Sequence, residues 1–212
     1  MKKIIIIGIT GLFIGIACKK KKEASIVVTV PKMTLIGPSV VTTSPTPGGT
    51  FTDLGINFTD ESGSVTFLNN PTTSNVNIST PGFYSVTYAR RTQYGYDVKA
   101  SRYVLVTNVP AAEDYSGTYI RTANGVAIDL VKLGTGLYYT ENLGGTGSSS
   151  TYINALIGKI NDSVLVIPPQ VSESIGDFSG KDGKLTISGN DTILRWRVTA
   201  NGFGTAIRTF IK

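Results

Sequence analysis

The 212-residue chain contains no histidine and a single cysteine, Cys18. The missing histidine removes the commonest general base and metal ligand, so triads and zinc sites built on these residue types are excluded. A lone cysteine leaves no disulfide within the chain. Charged residues are scarce at 16%, while glycine is plentiful at 24 residues. Beyond the first seventeen residues, no window of a dozen keeps a helical period. These scarcities argue against both a helical bundle and a disordered chain, and for a turn-rich globular body.

The formal charge is +6, yet its placement argues against nucleic-acid binding. Lys2 and Lys3 lie near the N-terminus, and Lys19, Lys20, Lys21 and Lys22 follow the cysteine. Without those six, 14 basic residues remain; setting aside Glu23 leaves 13 acidic ones. The body is therefore close to neutral, whereas a nucleic-acid binder needs its basic excess on the folded surface.

Residues 1–17 open with a basic stretch and continue as an apolar run from Ile4 to Ile16. As a helix this run spans about 20 Å, short of the roughly 30 Å of a bilayer core, and it suits a signal peptide. It ends in "GIAC", which resembles a bacterial lipobox. Gly15 stands where the large aliphatic residue is usual, with Ile14 one place further out. The resemblance implies cleavage before Cys18, acylation of its thiol, and anchoring to the outer membrane through lipid. Two or three acyl chains hold stably where one is marginal. Residues 18–30 would then be a lipidated basic tether. The lysine run is either a solvated spacer or a contact for anionic headgroups, and the periplasmic and cell-surface faces both stay open.

The rest reads as all-β. In "GFYSVTYA" (82–89), Tyr84, Val86 and Tyr88 share one face and Phe83, Ser85 and Thr87 the other. In "VAIDLV" (126–131), Val126, Ile128 and Leu130 share a face. In "ILRWRV" (193–198), Leu194, Trp196 and Val198 point inward between outward arginines. This period of two marks strands. "TNVPAAEDYSG" (107–117) breaks the pattern and places a boundary between modules at 31–109 and 113–212. "KDGK" (181–184) is expected to form a two-residue hairpin turn, "KLGTGLYY" (132–139) another hairpin, and "NLGGTGSSST" (142–151) a flexible loop.

Within the first module, "PKMTLIGP", "GGTFTDLGINFTDESG" and "STPGFYSVTYARRTQYGYDVKASRYVLV" follow one another. This order resembles bacterial Ig-like domains of the insecticidal-crystal-protein type, which implies a β-sandwich. Tyr84 stands two places before Val86, where an antibody domain carries its tyrosine corner and second cysteine. "DYSGTYIRT" and the strands after it resemble the C-terminal β domain of uncharacterised Bacteroidota lipoproteins. That likeness implies a small antiparallel barrel or sandwich, no catalytic residues, and a link to glycan uptake.

Candidate chemistry is sparse. Glu173 and Asp177 could meet as a carboxylate pair for hydrolysis. Asp53, Asp60 and Glu61 could ligate calcium, although turn capping accounts for them more simply. "DSV" (162–164) and "DTI" (191–193) resemble a three-residue O-glycosylation motif. The aromatic residues offer more. Tyr94 and Tyr96 flank Gly95 with Arg90 and Arg91 nearby, and two tyrosines on one strand face can stack sugar rings. Tyr138 and Tyr139 are consecutive, so one must face outward. The expected protein is a lipid-anchored, non-enzymatic binding or accessory module without cofactor. Its partners are membrane lipid through Cys18 and either carbohydrate or another envelope protein; a spacer is the alternative.

Overall fold

The computed structural model describes residues 29–212, so Cys18 and the tether up to residue 28 lie outside the described residues. In chain order the strands are β1 (Lys32–Leu35), β2 (Val40–Thr43), β3 (Ile56–Thr59), β4 (Val65–Leu68), β5 (Thr73–Ser74), β6 (Gly82–Arg91) and β7 (Asp97–Val106). There follow β8 (Gly117–Arg121), β9 (Ala127–Gly134), β10 (Leu137–Thr140), β11 (Ala155–Lys159) and β12 (Leu165–Val166). The last are β13 (Gln170–Ser172), β14 (Gly176–Ser188), β15 (Asp191–Ala200) and β16 (Arg208–Ile211). A single 3-10 turn covers Ser149–Thr151.

Two sheets form the first half, one ordered β1-β3-β4 and one ordered β2-β7-β6-β5. They pack through Ile56 and Phe58 of β3 against Val86 and Tyr88 of β6, with Met33, Leu35 and Phe51 around them. This is the expected Ig-like sandwich. Its tyrosine corner is present, because the Tyr84 hydroxyl donates to the carbonyl of Thr80 at 2.9 Å. Val86, 1% exposed, fills the place of the antibody cysteine. Apolar packing does the work of the missing disulfide.

That core also holds an ion pair. Arg102 and Asp53 form a salt bridge with side chains 1% and 5% exposed. Arg102 also donates to the carbonyls of Pro38 and Ile36, and the Tyr88 hydroxyl donates to Asp53 at 2.6 Å. Buried charge is tolerable only when paired and hydrogen-bonded in this way.

The second half is one curled nine-stranded sheet, ordered β12-β11-β10-β9-β8-β16-β15-β14-β13. Trp196, Leu194, Phe210, Tyr119 and Tyr138 fill its concave side. Trp196 stacks on Phe210 with ring centroids 4.7 Å apart. The two ends of the sheet meet. Val164 bridges to Lys184 of β14, and Gly180 donates to the carbonyl of Ile167 at 3.0 Å. Among the described residues no strand pairing joins 32–106 to 117–212.

Two local expectations are corrected. "KDGK" forms no hairpin turn but a bulge inside β14. Lys181 pairs with Arg197 and Lys184 with Arg195, which leaves Asp182 and Gly183 opposite Trp196. Asp182 takes a φ of 56°, and a side chain on Gly183 would collide with the Leu165 backbone. The local signal suited any left-handed position; the closing approach of β12 decided which one formed. The "NLGG" loop is likewise packed rather than flexible. Leu143 is fully buried and its carbonyl accepts from Trp196 Nε1 at 2.9 Å, while Arg208 and Arg121 donate to the carbonyls of Gly144 and Gly145. "KLGTGLYY" does form the expected hairpin, joining β9 to β10.

Candidate functional site

The outward face of the β6–β7 hairpin changes character along its length. Directly opposed pairs run Phe83/Leu105, Ser85/Tyr103, Thr87/Ser101, Ala89/Lys99 and Arg91/Asp97. Nearest the linker the face is apolar, and Phe83 and Leu105 pack with Leu137, Leu156 and Val166 of the curled sheet. β11 comes close because residue 158 is glycine. A Cβ there would stand 2.7 Å from both Phe83 and Leu105 side-chain carbons.

The linker itself is tied down. Thr107 Oγ1 donates to the carbonyl of Lys159 at 2.7 Å, and the backbone N–H of Asn108 donates to Ile160. Lys159 is fully buried and pairs with Glu113 at 2.8 Å. Lys132 donates to the carbonyls of Ala111 and Glu113.

In the middle of the hairpin the apolar contact gives way to a groove of about 740 Å³. One wall is Ser85, Thr87, Ser101 and Lys99 on β6 and β7; the other is Pro169, Gln170, Val171 and Asp177 at the end of the curled sheet. The Tyr103 hydroxyl spans between them, donating to the carbonyl of Pro169 at 2.9 Å. Its ring meets Phe83 edge-on at 5.9 Å. Burial raises the Tyr103 pKa above the usual phenol range, so the bridging proton is retained at neutral pH. Thr87 and Ser101 share a hydrogen bond of 2.9 Å. The groove therefore offers hydroxyls, an ammonium, a carboxylate and an aromatic floor. That set suits a neutral polyhydroxylated ligand, since each hydroxyl can donate or accept.

The residues singled out from sequence lie elsewhere. Tyr94 and Tyr96 are not on a strand: residues 92–96 form the turn between β6 and β7, closed by Gly95 donating to Thr92 and Thr92 donating to Tyr96. The alternation that would have put both rings on one face does not apply there. The tyrosines are 63% and 58% exposed. Arg90 and Arg91 end β6 on opposite faces. Arg90 lies over the Phe58 ring at 4.7 Å, and Arg91 stands 4.0 Å from Asp97 in solvent. Tyr138 is buried and Tyr139 faces outward, as consecutive strand residues must.

Asp53 and Asp60 are accounted for by the fold, while Glu61 is 5% exposed and its Oε1 has no hydrogen-bond partner among the described residues. Asp53 serves Arg102, Tyr88 and the N–H of Gly55. Asp60 caps its own turn through Ser62 and Ser64. Asp177 pairs across from Val171 on β14, whereas Glu173 sits in the adjoining turn. Half of the groove was visible in the sequence, because Ser85 and Thr87 are hydroxyl positions on a face that also carries Phe83. The opposing wall comes from residues more than 80 positions later, and no local pattern joins the two.

A family model described as the Ig-like domain of bacterial surface proteins matches residues 35–106. No curated protein matches the chain. Among solved structures, the lipoprotein BT2262 from Bacteroides thetaiotaomicron is similar with 18% identity and a TM-score of 0.35, over 86% of this chain and 98% of that one. Residues 35–106, which fold as the β-sandwich described above, are thus similar to the Ig-like domain of bacterial surface proteins.

Proposed function

We propose that the protein is a lipid-anchored, non-enzymatic component of the cell envelope that holds a polar ligand, an oligosaccharide by its chemistry, in the groove between its two halves. The groove carries the reading: hydroxyls of Ser85, Thr87 and Ser101 stand across a space of about 740 Å³ from Pro169 and Asp177. The Ig-like match at residues 35–106 and the leader ending in "GIAC" support an envelope setting. Contacts of this kind are partly exposed, so the expected Kd is about micromolar to millimolar.

Two measurements test it. Clickable palmitate should label the wild type and not a Cys18→Ser variant; an unlabelled wild type ends the anchoring part. Glycan arrays followed by calorimetry should find a ligand whose binding is lost in a Ser101→Arg variant that melts like the wild type. Absence of any glycan ligand favours the spacer reading, which the hydrogen-bonded linker also supports.

A further inference from the structure

The tip of the β6–β7 hairpin has a second feature in its surroundings. Thr29, Val30 and Pro31, the first described residues, line one hollow with Tyr96, Asp97, Val98 and Lys99. The backbone N–H of Thr29 donates to the carbonyl of Glu61 in the β3–β4 turn. The tether therefore enters the body beside this tip, at the opposite end of β6 and β7 from the linker. Ten residues, or eleven Cα–Cα steps, separate Cys18 from Thr29. Fully extended they reach at most about 40 Å, and as a coil closer to 18 Å.

Three large apolar or aromatic side chains stand in solvent at this end: Val30 at 80% exposure, Tyr94 and Tyr96. Tyrosine has an apolar ring and a polar tip, which suits it to the headgroup layer of a bilayer. Around it are the exposed cations Lys32, Arg90, Arg91 and Lys99. Of the acids nearby, Asp60 is held by its own turn, Asp97 lies 4.0 Å from Arg91 in solvent, and Glu61 is buried.

We propose that this end of the Ig-like half is a lipid-docking surface. Tyr94, Tyr96 and Val30 enter the interface of the bilayer that holds Cys18, while Arg90 and Arg91 meet anionic headgroups. The long β6–β7 hairpin then stands on the membrane by its tip, and the groove is carried above the surface. The inference rests on acylation of Cys18, and the test separates the two.

The acylated protein, as isolated from membranes, is reconstituted into phosphatidylethanolamine–phosphatidylglycerol vesicles with and without brominated acyl chains. Tyr94→Trp and Tyr96→Trp variants place a reporter at the tip, and Trp196, buried in the curled sheet, serves as the internal reference. The expected result is about a twofold loss of reporter emission with brominated lipid, weaker when Arg90→Glu and Arg91→Glu are added. Trp196 emission in the wild type should not change. A palmitate-labelled protein whose tip reporters are unquenched overturns the docking surface and leaves the anchor standing. A wild type without label or vesicle retention overturns the anchor and the docking surface together. Loss of glycan binding by a Tyr94→Ala/Tyr96→Ala variant in detergent assigns the hairpin to ligand contact and overturns the lipid assignment.

Discussion

The side-chain amide of Gln170 pairs with both backbone groups of Leu156, accepting from its N–H at 2.8 Å and donating to its carbonyl at 3.0 Å. It behaves as one residue of a missing strand. β11 is thereby stitched to β13, the opposite end of the nine-stranded sheet, and the edge is satisfied without further chain. Gln170→Ala should leave both Leu156 groups short of a partner and lower stability by about 2–3 kcal/mol. Denaturant unfolding followed by Trp196 fluorescence measures it. A Gln170→Glu variant turns a buried carboxylate toward the carbonyls of Leu156 and Pro168 and should be at least as destabilised at neutral pH.

The Asp53–Arg102 pair should make the Ig-like half sensitive to acid. Burial alone would raise the Asp53 pKa, but hydrogen bonds from Tyr88, Arg102 and Gly55, with the charge of Arg102, hold it below the ordinary 3.8. A depressed carboxylate contributes stability that is complete above its unfolded pKa and is lost as pH falls through the folded one. Unfolding free energy should therefore fall below about pH 4, and Asp53→Asn should flatten that slope. Breaking the pair with Arg102→Met should cost about 3–5 kcal/mol at neutral pH, since a buried charge is left unpaired.

Tyr88 should resist alkaline titration. Burial first, then the hydrogen bond and charge of Asp53, push its phenol up to about 12. Absorbance titration at 295 nm should show the same change near pH 10 in the wild type and in a Tyr88→Phe variant; a larger change in the wild type at that pH would show an ordinary phenol.

The two halves should melt together. Gly158 allows β11 to rest on Phe83 and Leu105, so Gly158→Leu should push the halves apart and split one calorimetric transition into two. A fragment of residues 24–109 exposes Phe83 and Leu105 and should melt below the corresponding transition of the whole chain. Equal melting would show that the junction contributes nothing.

Chelation should leave the melting temperature unchanged. Both oxygens of Asp53 are taken by protein donors, and Asp60 is held by its own turn. A melting shift of several degrees with EDTA would contradict this assignment of the carboxylates.

The sequence determined the elements that rest on local physics. Alternation put Val86 and Tyr88 on one face of 82–89 and placed Leu194, Trp196 and Val198 inside in 193–198, because a strand turns successive side chains to opposite faces. The same rule separated Tyr138 from Tyr139. Tyr84 could be read as a corner because its partner lies only four residues away. The rule failed for Tyr94 and Tyr96, where the strand ended sooner than the pattern suggested. What only tertiary structure decided depends on partners far along the chain. Asp-Gly at 182–183 tolerates a left-handed residue wherever one is needed, and the approach of Leu165 made it a bulge instead of a turn. The "NLGG" segment became rigid because Trp196 and Arg208, more than fifty residues on, bond its carbonyls. The groove exists only because Ser85, Thr87 and Ser101 face a wall built from residues 169–177. A contact between distant segments leaves no period in either one, so composition and spacing are blind to it until the chain has folded.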